Sequence, residues 1–182
     1  KNCFFVSSLF FFSFYSGFTA AALYDSLMIA GFNIFWSSLG IIAYGVLERD
    51  VSPSSSLSNP QLYRSGQDRM DFNSRVLTEW ILQALVHAAI CFFVLARTFL
   101  GTIVVKEGGE SGFAVQGTAI LQALVIAVNL KLLIITKHLT LWSCLFYSIG
   151  VFLFIIGGSL HSLWTFSSFF TKVAYDFYSV FP

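Results

Sequence analysis

Charge is what this sequence has least of. Only 10% of its 182 residues are Asp, Glu, Lys or Arg, while 57% are hydrophobic and 22 are Phe. Soluble domains carry roughly 25% charged residues, so a water-facing surface cannot be covered here and a soluble globular domain is excluded. The formal net charge of +1 is not gathered into a basic stripe, which excludes tracking of a nucleic-acid backbone. Cysteine is scarce as well. Cys3, Cys91 and Cys144 lie far apart inside apolar runs, with no CxxC and no His at ligand spacing, so they read as packing residues rather than a disulfide framework or metal site. No Asn-x-Ser/Thr triplet offers a glycosylation acceptor. An initiator Met is also missing. Lys1, the Phe-rich stretch to Tyr15 and the small residues up to Ala22 imitate the order of a secretion signal. The missing Met and the apolar runs that follow argue instead for the tail of something larger.

What the chain does have is one long apolar run after another. A hydrocarbon core of roughly 30 Å takes about 20 helical residues to cross. Five such segments can be drawn, at about 1–18, 26–47, 77–105, 113–135 and 141–160. They are continuously apolar rather than alternating, which selects helices over a barrel. The expected fold class is therefore all-α, a polytopic transmembrane helical bundle of about five spans. Between residues 48 and 75 the composition turns polar, with Ser52-Pro53-Ser54-Ser55-Ser56 and Asn59-Pro60 as turn punctuation. A tight polar link at 106–112 joins the third and fourth segments. The Glu48–Arg75 loop carries Arg49, Arg64, Arg69 and Arg75, and the turn after the fourth segment carries Lys137. The opposite side has only Lys106 and Lys172, so basic-residue asymmetry puts the 48–75 loop in the cytoplasm. The first segment then starts near the cytoplasmic leaflet or within the membrane and runs outward.

Polar side chains within apolar spans are expensive and are functional candidates. Lys1 and Asn2 head the first span. An ammonium supplies three donors, and an amide supplies donors and an acceptor; together they suit a phosphate or carboxylate headgroup whose tails stay in lipid. The competing reading is a terminal Lys that snorkels to the interface. Asn33 lies mid-span in the second segment with Ser37 one turn later on the same face. The pair reads either as interhelical hydrogen bonding, typically about 0.6 kcal/mol, or as part of a headgroup path. Arg97 and Lys131 read as snorkelling residues and His87 as a hydrogen-bonded bundle residue. The loop mixes Glu48, Asp50, Asp68 and Asp71 with its Arg residues as a solvated, salt-bridged surface. The Ser52–Ser58 cluster is a candidate for phosphorylation.

These residues carry a resemblance. The opening Lys1-Asn2 with Phe14-Tyr15-Ser16-Gly17-Phe18 is similar to the fifth transmembrane segment of type-IV P-type ATPases, the phospholipid flippases. Asn33-Ile34-Phe35-Trp36-Ser37-Ser38 resembles the middle of their sixth. Gly45-Val46-Leu47-Glu48-Arg49-Asp50-Val51-Ser52 resembles the family's GVFDQDVS segment end. Pro60, Tyr63 and Gly66 fall on its P-x-LY-x-x-G loop motif, with Trp80, His87, Lys131 and the Thr136–Thr140 turn continuing the match. Leu139 departs from it, since the family usually has Trp there.

The resemblance implies the C-terminal membrane domain of such an ATPase, segments five to nine, across the whole chain. It implies ATP-driven movement of phospholipids from the outer or lumenal leaflet to the cytoplasmic one. Lys1, Asn2, Asn33 and Ser37 would line the headgroup path, and Gly45, Asp50, Pro60, Tyr63 and Gly66 would form the cytoplasmic loop motif. The phosphorylated Asp and the nucleotide pocket would lie upstream of Lys1. ATP and magnesium would therefore act in the parent enzyme, with no cofactor site in this chain, which alone would be inactive. Implied partners are phospholipids, the upstream ATPase domains and a two-span glycosylated accessory subunit. The implied location is the plasma membrane or Golgi and endosomal membranes. The alternative is a stand-alone membrane scaffold that kept the bundle and lost the motor.

Overall fold

The computed structural model of the chain describes residues 1–99, apart from Ala20 and Asp25, and residues 113–163. Every regular element among them is helical. The link expected at 106–112, its Lys106, and Lys172 lie outside the described residues.

The first apolar run forms α1, Asn2–Tyr15. Its 14 residues span about 21 Å at 1.5 Å per residue, less than a bilayer core. The helix stops earlier than the apolar composition does, because Gly17 and Phe18 turn left-handed at φ 64° and 57°. There the Phe18 amide reaches back to the Ser13 carbonyl at 2.8 Å. Glycine takes this conformation freely, whereas an L side chain such as Phe18 pays about 1–2 kcal/mol for it.

The second run is not one helix. It divides into α2, Ser26–Gly31, a π-helical segment, Phe32–Trp36, and α3, Ser38–Leu47. No proline lies between residues 26 and 47, so the break comes from the π segment itself, one of the few physical causes of a helix kink. Wider winding weakens the ordinary ladder, and two serines answer for it. The Ser37 hydroxyl donates to the Phe32 carbonyl and the Ser38 hydroxyl to the Asn33 carbonyl, each five residues back.

Residues 48–73 follow as short surface turns. Helix α4, Pro53–Ser58, starts with Pro in its first turn, and the Ser52 hydroxyl accepts from the Ser55 amide at 3.2 Å. A 3₁₀ turn at Pro60–Tyr63 runs into α5, Arg64–Gln67. Asn73 then caps α6, Ser74–Phe99, by accepting from the Val76 amide at 2.9 Å. That cap starts the helix three residues before the apolar run at 77. Helix α7, Phe113–Ile135, and α8, Leu141–Leu163, complete the bundle. Thr140 caps α8 by accepting from the Ser143 amide at 3.1 Å.

Among the described residues, four stretches are long and apolar enough to cross a membrane: Ser26–Leu47, Ser74–Thr98, Gln116–Ile135 and Leu141–Gly158; α1 is the short fifth. Helix α1 lies against α6, α6 against α7, α7 against α8, and α8 against α3 and the π segment. The core is aromatic at one end, where Phe5 stacks on Phe32 at 4.7 Å and on Tyr24 at 5.3 Å. It is aliphatic along α7, where Ile120, Leu121, Leu124 and Val125 are completely buried. Ile42, Val46, Val86, Ile134 and Phe152 remain exposed, as lipid-facing positions must.

Candidate functional site

The site begins with a lysine set beside the middle of the second span. Lys1 precedes α1, and its Nζ donates to Ser37 Oγ at 3.1 Å, Ser38 Oγ at 3.2 Å and the Asn33 carbonyl at 3.5 Å. These acceptors lie half-way between Ser26 and Leu47. Lys1 therefore sits at mid-depth along the second span, beside the π segment. The two serine hydroxyls are bifunctional: each gives its proton to a carbonyl five residues back and offers its lone pairs to the ammonium. Among the described residues, a positive charge is thus held by neutral oxygens alone, in an exposed position. An anionic oxygen brought there would be a stronger acceptor than any of the three, since charge-assisted hydrogen bonds are roughly twice as strong as neutral ones.

The sequence expectations fare unevenly here. Lys1, Asn33 and Ser37 meet, with Ser38 as an unforeseen fourth member. Asn33 contributes its main-chain carbonyl rather than its amide. Straight α-winding would put Asn33 and Ser37 on one face; instead Ser37 is fully buried and Asn33 is exposed, because the π segment between them changes the residues per turn. Asn2 stays exposed in the first turn of α1, and among the described residues neither its amide nor that of Asn33 has a hydrogen-bond partner.

Asn129, on α7, was missed. It is 3% exposed and donates through Nδ2 to the Trp36 carbonyl at 3.1 Å and to the Val125 carbonyl at 2.9 Å. Trp36 closes the π segment, and Ser37 after it departs from helical geometry at φ −123°, ψ −15°, which tilts the connecting peptide off the helix axis. Asn129 Oδ1 is buried and accepts no hydrogen bond among the described residues. A lone Asn within the run Ile126–Leu133 was the available signal, and its polarity in a buried span should have marked it.

At the loop end of the bundle, Glu48 and Asp50 bind the α7–α8 turn. Glu48 Oε1 accepts from the Lys137 amide at 3.0 Å and the His138 amide at 3.3 Å, and Asp50 Oδ1 pairs with Lys137 Nζ at 2.7 Å. The Asp50 carboxylate, by hydrogen bond and then by charge, raises the Lys137 ammonium above its ordinary value of 10.5. Of the remaining motif residues, Gly45 lies on α3 of the bundle and Pro60, Tyr63 and Gly66 lie on the surface turns. Gly45 and Gly66 face open space, and Pro60 and Tyr63 are exposed on the surface turns. The loop's charges form local pairs, Arg64 with Asp68 and Arg75 with Glu79.

Among the polar residues read as snorkelling or bundle packing, His87 lacks the hydrogen-bond partner expected of it among the described residues. Lys131 donates to Gln83 Oε1 at 3.0 Å and lies 4.8 Å from the Trp80 ring centre, so it is partnered by α6. His87 is exposed on α6. Arg97 is exposed in the last turn of α6.

Residues 1–182 match the family described as phospholipid-translocating P-type ATPase C-terminal. The phospholipid-transporting ATPase VD of Mus musculus is 34% identical over 152 residues, covering 82% of this chain and 10% of the relative. The probable phospholipid-transporting ATPase IM of Homo sapiens is 34% identical over 142 residues, covering 77% and 12%. The phospholipid-transporting ATPase IC of Xenopus tropicalis is 34% identical over 166 residues, covering 89% and 13%. The chain thus spans about a tenth of the length of the curated relatives it matches.

Proposed function

This chain belongs to the phospholipid-translocating P-type ATPase C-terminal family, and on that premise we propose that it forms the membrane portion of an ATP-driven phospholipid flippase. The single observation that carries the reading is the Lys1 ammonium held at mid-depth by Ser37, Ser38 and the Asn33 carbonyl. A phospholipid phosphate entering beside the π segment competes with those three acceptors for the ammonium's hydrogens. The serines keep their bonds to the Phe32 and Asn33 carbonyls while the lysine turns to the headgroup, so the backbone need not be remade. Asn33 and Asn2, whose amides are exposed and unpartnered among the described residues, offer further donors and acceptors to the lipid. Transport runs from the outer or lumenal leaflet to the cytoplasmic one, and the Arg-rich loop at 48–75 lies on the cytoplasmic side.

ATP and magnesium belong to the parent enzyme in this reading. The exposed Leu57, Tyr63 and Phe72 on the loop are suited to dock against its ATPase domains. A two-span accessory subunit would meet the opposite end.

The test is lipid-stimulated ATP hydrolysis by a full-length enzyme carrying this segment. Lys1→Ala should raise the half-saturating lipid concentration about tenfold, as expected for losing charge-assisted bonds. Lys1→Arg should recover only part, because a planar fork does not match a three-oxygen nest built for an ammonium. Unchanged lipid activation in Lys1→Ala overturns the assignment. Parent protein lacking any ATPase segment would favour the scaffold instead.

A further inference from the structure

Three helices, not two, define the geometry around Lys1. The acceptors of its ammonium depend on the π segment, and Asn129 of α7 reaches that segment. Both hydrogens of its amide are committed, one to the Trp36 carbonyl and one to its own helix at Val125. Its orientation is forced, because turning the amide over would set Oδ1 against two carbonyl oxygens. The surroundings leave it no freedom to swing away. A Cβ on Gly40 would lie 2.9 Å from Asn129 Oδ1, and a Cβ on Gly150 would lie 3.2 Å from Oδ1 and 2.5 Å from the Trp36 carbonyl oxygen. Two glycines from α3 and α8 therefore bring backbone against an amide whose acceptor stays buried and unmatched.

A buried amide is not needed merely to fill this volume; Leu has nearly the same shape and leaves no orphaned acceptor. What only the amide supplies is a donor for the Trp36 carbonyl, at the residue where the π segment ends and the peptide tilts off axis. The next two residues are Ser37 and Ser38, the acceptors of the Lys1 ammonium. We propose that Asn129 is a positioning residue for headgroup binding: by tethering the Trp36 carbonyl it fixes the register in which Ser37 and Ser38 face Lys1, and so tunes affinity for the lipid phosphate without touching it. The proposal rests on the headgroup reading of Lys1.

The experiment uses a full-length phospholipid-transporting ATPase carrying this segment, in detergent micelles titrated separately with phosphatidylserine, phosphatidylethanolamine and phosphatidylcholine. Half-saturating lipid and maximal hydrolysis are read against the amount of phosphoenzyme formed from ATP. Asn129→Leu removes the donor at nearly constant volume, and Gly150→Ala displaces the same carbonyl from the other side. Leu124→Ala is the comparison for plain core damage on α7. Asn129→Leu should raise half-saturating lipid about fivefold, the loss of one hydrogen bond, with phosphoenzyme per molecule unchanged; Gly150→Ala should move the same way. Leu124→Ala should lower the yield of enzyme and leave half-saturation alone. Should Asn129→Leu fail to accumulate, Gly150→Ala decides. A shift in Lys1→Ala with none in Asn129→Leu or Gly150→Ala sinks the role of Asn129 alone. No shift in Lys1→Ala sinks the headgroup reading, and the role of Asn129 with it.

Discussion

Ser8 and Tyr24 share a hydrogen bond of 2.7 Å in the buried interface between α1 and the start of the second span. In a membrane the separated partners find other bonds, so the pair is worth little more than a soluble one. A double-mutant cycle with Ser8→Ala and Tyr24→Phe, followed by unfolding in mixed micelles, should give a coupling near 0.6 kcal/mol; a value above about 2 kcal/mol would mean the pair is isolated as it would be in dry hydrocarbon. At this scale the sequence was legible where polarity was conspicuous. Lys1 could be singled out because a charge in an apolar run is costly wherever it sits. Asn129 could not be weighed in the same way, since its importance depends on a carbonyl 93 residues distant in sequence. Nor could Ser38, whose part follows only from the winding of the residues before it.

The helices themselves were readable because their signal is composition over about 20 residues, which no single substitution disturbs. Their ends and interruptions were not. Tyr15 ends α1 through a left-handed turn, and Asn73 starts α6 through a side-chain cap, both decided by one or two residues inside or beside an apolar run. The same locality makes α7 vulnerable at Gly117, where an added Cβ would collide with the Leu23 carbonyl. Overpacking of this kind typically costs about 1–3 kcal/mol. Gly117→Ala should therefore lower the melting temperature of the purified protein, while Gly45→Ala, which meets nothing, should raise or preserve it. Equal effects of the two would show that the contact between α7 and Leu23 is loose.

For the molecule as a whole, the loop end is closed by the Glu48 and Asp50 contacts with the α7–α8 turn. The two carboxylates are unequal. The Asp50–Lys137 pair is open to solvent, where such pairs contribute little, whereas Glu48 satisfies two main-chain donors. Hydrogen exchange should show the Lys137 and His138 amides exchanging faster in Glu48→Ala and almost unchanged in Asp50→Asn. Because the folded state raises the Lys137 value above 10.5, the stabilisation linked to the Lys137 proton is fully present below pH 10.5 and is lost only as pH rises through the raised value. Stability should not vary through this group between pH 6 and 9, and a transition in that range removed by Lys137→Met would contradict the assignment. The charges of this clasp were visible in the sequence, but the bundle that brings residues 48 and 137 together was not. The π segment of the second span carries one more consequence. A π turn is an α-helix with one residue inserted, so any helical wheel drawn through Ser26–Leu47 as a single helix is wrong by one step, about 100°, on one side of residues 32–36. A relative that lost a single residue there would wind straight, and every side chain after the deletion would face a different neighbour. Length, rather than identity, is then the property of this stretch that mutation can least afford to change.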